Sequence, residues 1–408
     1  MIFLTGLVSL KVSAQEKLGL EQIIAEISKN NLQLQALGHK AESQQAQTEG
    51  AKAWMAPMIG AGTFMAPYPG QKLMNDADKG SLMFSLEQAI PTFGINKSKE
   101  KYYASLSETT EARKNMALND LKAIAKENYW NIAISKQKIS LLKENIDILK
   151  TMKKLGEIRY QYNKGNLSQI YKTEGRIAET ENILDEIQNE IAVSKININI
   201  LMYRAYHLNF DIEDGNISEY LPKQLIDTAF LTQHSSAIKM ADTEIKSMHL
   251  ESELIKKQAN PEISLKFDHM SSFSSMMPQQ YSAMAMLSIP IAPWSSKSYK
   301  SSLKTNKLEI ESLQKERDFQ INSLIGAAQG LEKNIINTNK IIAKYNSSVL
   351  PNMKKSLNAL LLDYQENKEE LSNVIDGWET LNKIHQDYIN QLQKLSKLII
   401  DYEKIIEK

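Results

Sequence analysis

The sequence predicts a mostly α-helical chain made of two tandem copies of one unit, each a β-hairpin followed by a long α-helical hairpin. Three observations predict it. The chain resembles itself at a spacing of about 204 residues. Two pairs of segments alternate apolar and polar residues with period two. Four long stretches carry coiled-coil spacing with almost no proline or glycine.

The repeat comes first because it organises the rest. Tyr160-Gln161 corresponds to Tyr364-Gln365, Asn163-Lys164 to Asn367-Lys368, and Leu167-Ser168 to Leu371-Ser372. Pro57 corresponds to Pro261 at the same spacing, whereas Ile90-Pro91 matches Ile289-Pro290 and Lys97-Ser98 matches Lys297-Ser298 at slightly shorter ones. The length difference therefore falls after each first proline, where a loop tolerates it. The units run over 15–210 and 211–408. A period this long is not a solenoid; it is a duplicated half that stacks beside its twin.

Each unit opens with an amphipathic helix, Glu21 to Trp54 in the first copy and Lys223 to Ala259 in the second, closed by proline. Two strands follow, at about 57–67 and 80–90, and again at about 261–270 and 281–291. In the second copy Ile263, Leu265 and Phe267 alternate with Ser264, Lys266 and Asp268. Tyr281, Ala283, Ala285 and Leu287 alternate with Ser282, Met284, Met286 and Ser288. In the first copy Leu82, Phe84 and Leu86 alternate with Met83, Ser85 and Glu87, while its partner strand is rich in glycine and alanine. Strands of roughly 9–11 residues with one apolar and one polar face are the signature of a membrane barrel. A half-buried hairpin in a soluble domain remains the alternative at this point.

The long helices span about 97–162 and 167–203, then 297–364 and 371–407. The first alone reaches roughly 95 Å at 1.5 Å per residue. Each pair is separated by a few polar residues, the mark of an antiparallel hairpin. Ile139, Leu142, Ile146 and Leu149 step by three and four, as do Leu381, Ile384, Tyr388, Leu392, Leu395, Ile399, Tyr402 and Ile406 apart from one extra four. Such steps form a knobs-into-holes seam, and the extra four is a stutter. Pro351 is positioned to kink the third long helix.

Four strands cannot close a barrel, for which eight is about the minimum. The fold class is thus mostly α with a membrane β-barrel portion completed by oligomerisation. Three copies would give a 12-stranded barrel, although composition does not fix that number. At the N-terminus, apolar Ile2 to Val8 and small Val12-Ser13-Ala14 read as a signal peptide over 1–14, despite Lys11 inside it. A frayed apolar terminus is the alternative.

Composition narrows the function. With 49 basic and 48 acidic residues the net charge is +1, which disfavours nucleic acid as a partner. There is no cysteine, so disulfides, thiolate metal sites and cysteine nucleophiles are excluded. The six histidines form no His-Glu-x-x-His pair, and there is no Gly-x-Ser-x-Gly or phosphate-binding glycine loop; the reading is of a non-enzyme without cofactors. His207 and His385 read as ordinary surface or interface residues.

The duplicated hairpins, the proline before each first strand, Ile-Pro after each second strand and the two helix tips together resemble the TolC family of outer-membrane efflux proteins. The tips read Tyr162-Asn163-Lys164-Gly165 and Tyr364-Gln365-Glu366-Asn367, similar to the family's Tyr-x-x-Gly turn, with Asn367 in the place of the glycine. Val349-Leu350-Pro351 is similar to its Leu-Pro entry into the last hairpin. The resemblance implies a homotrimer in the outer membrane of a Gram-negative bacterium, with most of its mass in the periplasm. There a 12-stranded barrel would continue into an α-helical tunnel. It implies a passive duct in a tripartite system with an inner-membrane pump and a periplasmic adaptor, the membrane fusion protein. It also implies a constriction after the second tip at Asp376 and Asn373, with Glu369 and Glu370 as an acidic rim. Adaptor contacts are expected at Gly165, Asn166, Leu167, Ser168, Leu371 and Ser372. Against each stands a plainer reading: a solvated Asp376, dipole-complementing Glu369 and Glu370, and ordinary turn and cap residues. A periplasmic coiled-coil adaptor or scaffold is the alternative function, and a surface filament a third. Within the channel reading, His269, Met270, Met284 and Met286 are soft-ligand candidates for copper or silver efflux, against flexible apolar filling.

Overall fold

The computed structural model describes residues 16–213, 215, 222, 226–289 and 293–408. The expected signal peptide, Pro290 and the first residues of the second opening helix lie outside them. In chain order the elements are β1 (Lys17–Leu18), α1 (Leu20–Asn30), α2 (Leu32–Ala51), β2 (Met58–Phe64), β3 (Ser81–Ile90), α3 (Ile95–Gln161) and α4 (Leu167–Leu201). The second copy supplies β4 (Asp211–Ile212), α5 (Thr228–His234), α6 (Ser236–Gln258), β5 (Glu262–Ser272), β6 (Gln280–Ser288), α7 (Pro293–Lys344), α8 (Leu350–Gln365) and α9 (Leu371–Ile406). Among the described residues no helix is long and apolar enough to cross a membrane.

Two compact units cut across the sequence repeats. One comprises 1–35, 115–236 and 321–408, the other 36–114 and 237–320. In the second, β2, β3, β5 and β6 form an antiparallel sheet in that order, with β3 and β5 joining the two copies. The register settles the faces. Ile59, Leu86, Phe267 and Ala283 align across one face; Gly60, Ser85, Asp268 and Ser282 align across the other. The apolar face is open to the surroundings: Ile59, Phe84, Leu86, Ile263, Leu265, Phe267 and Leu287 are all exposed, while the reverse is only partly covered, with Met284 and Met286 exposed as well. On the reverse, Asp268 is buried and takes a hydrogen bond from Ser282 (3.2 Å). A soluble sheet would show the opposite arrangement, because exposing apolar area to water costs about 25 cal/mol per Å². β2 and β6 are left as edges, with no further strand among the described residues to satisfy their outer backbone groups.

In the other unit β1 and β4 pair in parallel, tying the starts of the two copies together. The helices pack on a core that includes Leu149, Met152, Leu357, Tyr364, Val374, Ile375, Trp378 and Leu381.

The structure corrects the sequence reading in four places. Each opening helix is two helices, broken at Asn31 and Ser235, which are equivalent positions (31 + 204 = 235). Asn31 turns extended and its Oδ1 accepts from the Gln33 and Leu34 amides at 3.0 and 3.4 Å, capping α2. Near Pro351 the helix passes through a π-helical turn, Tyr345–Val349, where Leu350 N donates to Tyr345 O, and Pro351 follows directly as the second residue of α8. The α9 seam runs through buried His385 and Ile389 instead of half-exposed Ile384 and Tyr388. Finally, Gly165 is not the left-handed residue of the first tip. Asn163 is, at φ 54°, and its equivalent Asn367 has φ 65°. No glycine is missing from the second tip.

Candidate functional site at the helical-hairpin tips

Both tips close with the same hydrogen-bond scheme. Lys164 N donates to Arg159 O (2.9 Å) and Asn163 N to Tyr160 O (3.0 Å); Lys368 N donates to Asp363 O (2.8 Å) and Asn367 N to Tyr364 O (3.2 Å). This is a Schellman closure around a left-handed asparagine, whose short side chain tolerates that conformation. The far ends repeat it, with Tyr203 and Glu407 left-handed and Arg204 and Lys408 bonded back to Asn199 and Glu403. Gly165 has a different task. A Cβ there would lie 2.9 Å from Tyr160 N, so the returning chain presses directly on the α3 backbone.

Past the first turn, Asn166 caps α4: its Oδ1 accepts from Ser168 N (3.0 Å) and Ser168 Oγ (2.9 Å). Gly165, Asn166, Leu167 and Ser168 are exposed. At the second tip Glu370 sits at the N-cap without a side-chain bond to the backbone, and Ser372 Oγ reaches its carboxylate at 3.4 Å. Asn373 donates to Glu369 Oε2 at 2.6 Å. Leu371 is 7% exposed and belongs to the helical core, so it supports the tip from within. Arg159, which sequence reasoning passed over, joins the tips. Its guanidinium lies 4.1 Å over the Tyr364 ring, donates to Asn367 Oδ1 and approaches Glu369 O at 3.5 Å. Between the tips lies a cleft of about 550 Å³ lined by Arg159, Lys164, Asn166, Asn367, Glu369 and Ser372.

Asp376 lies farther along α9 and is exposed, with Lys172 of α4 at 3.8 Å. Lys172 also reaches Glu379 (3.6 Å), and Arg176 donates to Glu379 from Nη2 (2.9 Å) and Nε (3.1 Å). Glu179, then Glu379, hold the Arg176 pKa above its ordinary value. Lys172 is the first-copy equivalent of Asp376 (172 + 204 = 376). The duplicated position thus carries opposite charges in the two copies, and the carboxylate expected to stand alone has a cation beside it. Lys172 and Arg176, four apart on one helix, and Asp376 and Glu379, three apart on another, could have been found by face matching.

The soft-ligand candidates divide across the sheet. Met270, Met284 and Met286 share the polar face with Met83, which pairs directly with Met270; His269 lies on the apolar face between Phe84 and Tyr281. Among the described residues there is no group of three or more His, Asp or Glu able to hold a metal.

No family model and no curated protein matches the chain. Solved structures do. The outer-membrane channel OprN is similar at TM-score 0.79, over 95% of this chain and 89% of that one, with 13% identity. This is the fold of an outer-membrane channel protein. CusC, described for conformational changes accompanying folding and transmembrane channel formation, is similar at 0.78, over 95% and 91%, with 16% identity. The outer-membrane protein VceC from Vibrio cholerae is similar at 0.76, over 95% of both chains, with 13% identity.

Proposed function

We propose that this chain is one protomer of a TolC-family outer-membrane channel, a passive export duct that works with a periplasmic adaptor and an inner-membrane pump. One observation carries the reading: a four-stranded sheet exposes a continuous apolar face, carries its polar residues on the reverse, and among the described residues ends in two unpaired edges. In lipid the apolar face is solvated and the edges must be paired, because each unsatisfied backbone group there costs several kcal/mol. Pairing β6 of one copy with β2 of the next meets both demands. Three copies make twelve strands around a polar lumen, as the resemblance implies. The match over 95% of the chain to outer-membrane channels supports the same assignment. A periplasmic adaptor would need further β-rich domains; among the described residues there is one sheet and one two-residue pair.

Within this reading the exposed tip residues Gly165, Asn166, Leu167 and Ser168, with half-buried Ser372, meet the adaptor. Asp376, with Asn373, Glu369 and Glu370, lines the constriction. Lys172 and Arg176 partly neutralise the acidic ring. The test is reconstitution of the purified protein in planar bilayers. Heat-modifiable trimers with stepwise single-channel conductance support the proposal; a soluble monomer without conductance refutes it.

A further inference from the structure

All four strands meet helices at one end of the sheet. Met58 pairs with Glu87, Ile90 with Ile263 and Glu262 with Ser288, while the opposite end carries the loops. At the helical end three large aromatic residues stand free: Trp54 is 62% exposed, Phe93 91% and Trp294 82%. Each sits just beyond the last or first residue of a strand segment. The amphipathic Trp ring collects at this level where an apolar surface gives way to water, and the apolar Phe93 ring at the same end needs the same boundary to leave water.

Immediately beyond them both long helices start with lysines. Lys97, Lys99 and Lys101 open α3, and Lys297, Lys300 and Lys304 open α7. Neither helix has an acidic residue in its first turn. None of these six lysines has a carboxylate within ion-pair distance among the described residues; nearby Glu100 is engaged by Lys52 at 3.4 Å. The arrangement is unfavourable by itself. Lys297, Lys300 and Lys304 share one helical face, where like charges repel. Lys97, in the first turn of α3, and Lys297, just past the first turn of α7, also lie near the positive end of a helix dipole, which favours anions. An anion at this level relieves both.

We propose that the strand–helix junction is a docking collar for anionic phospholipid headgroups. The aromatic trio sits at the acyl boundary and the lysines meet the phosphates. The inference rests on the membrane placement proposed above and adds the lipid class to it. Each lysine near a membrane surface strengthens attraction to anionic lipid by about fivefold.

The full-length protein is reconstituted in vesicles of phosphatidylcholine with increasing phosphatidylglycerol, and tryptophan quenching by brominated acyl chains of either lipid is compared. Trp54 and Trp294 report on the collar, and Trp130 and Trp378, in the other compact unit, give the background. The expected result is at least a fivefold preference for brominated phosphatidylglycerol. It should fall toward unity in the variant with all six lysines changed to glutamine, and for the wild type in 0.5 M NaCl. The salt arm decides the matter even where the variant fails to fold. Equal quenching by the two lipids in the wild type, or a preference that survives high salt, overturns the collar while leaving the membrane placement standing. Absence of quenching by either lipid overturns the placement and the collar with it.

Discussion

Replacing Gly165 by alanine tests the tip architecture sharply, because the neighbours it would strike are backbone. The added Cβ would lie 2.9 Å from Tyr160 N, 3.2 Å from Tyr160 Cα and 3.3 Å from Arg159 C. Those atoms belong to the last hydrogen-bonded turn of α3 and cannot rotate away as a side chain would. Overpacking of this kind costs about 1–3 kcal/mol. Opening the turn to relieve it also strains the 2.9 Å bond from Lys164 N to Arg159 O, worth about 1 kcal/mol. A local loss of about 2–3 kcal/mol accelerates amide exchange at Asn163 and Lys164 by roughly 30- to 150-fold, at about 1.4 kcal/mol per tenfold. Gly175 is the control. It lies inside α4 with nothing within 4 Å of its would-be Cβ. Gly175→Ala should therefore gain about 1 kcal/mol of helix stability. Hydrogen exchange by mass spectrometry on both variants reads the contrast. Unchanged exchange at the tip of Gly165→Ala would refute the close-approach argument.

Arg159→Ala removes the stacking on Tyr364 and the contacts to Asn367 and Glu369. Exchange across 366–370 should rise by about tenfold while helicity by circular dichroism is retained. His385 is buried, and burial, then Lys354, depress its pKa below 6.5, with Glu144 opposing. The unfolded chain therefore takes up the proton first, and stability falls as pH drops below about 6.5. His385→Leu should flatten that part of the melting-temperature profile between pH 7.5 and 5.5; an unchanged slope would assign it to other groups. Lys172→Ala uncovers Asp376 and should raise cation over anion selectivity in bilayer recordings. Asp376→Ala should lower it and raise resting conductance. Unchanged values in both variants would remove this pair from the constriction.

Much of this structure was legible because it rests on periodicities that burial enforces. The two strand pairs follow period-two alternation, and the four long helices follow three-four spacing. The breaks between them fall at polar residues. What escaped the sequence depends on single residues whose effect is local. Asn31 splits a helix by capping the next one, and Ser235 breaks its equivalent by turning extended, though both fit within a continuous amphipathic pattern. His385 enters an apolar seam, where a polar side chain was passed over in favour of Ile384 and Tyr388. At the tips, glycine drew attention because it alone adopts positive φ without cost, yet asparagine carries that role in both copies. The separation of His269 from Met270 was implicit in the alternation, since adjacent strand residues point to opposite faces. Arg159 carried no signal, because its partners come from the other copy more than 200 residues away.

The central claim is that β2 and β6 pair between copies to close a barrel. The chain's lack of cysteine makes engineered cross-links unambiguous. Ala61→Cys in β2 is combined in turn with Tyr281→Cys, Ala283→Cys or Ala285→Cys in β6, which lie on the same face, and oxidised in membranes. At the matching register, non-reducing gels should show a ladder ending at three linked copies. Bands confined to the single chain, whichever pair is used, would contradict it.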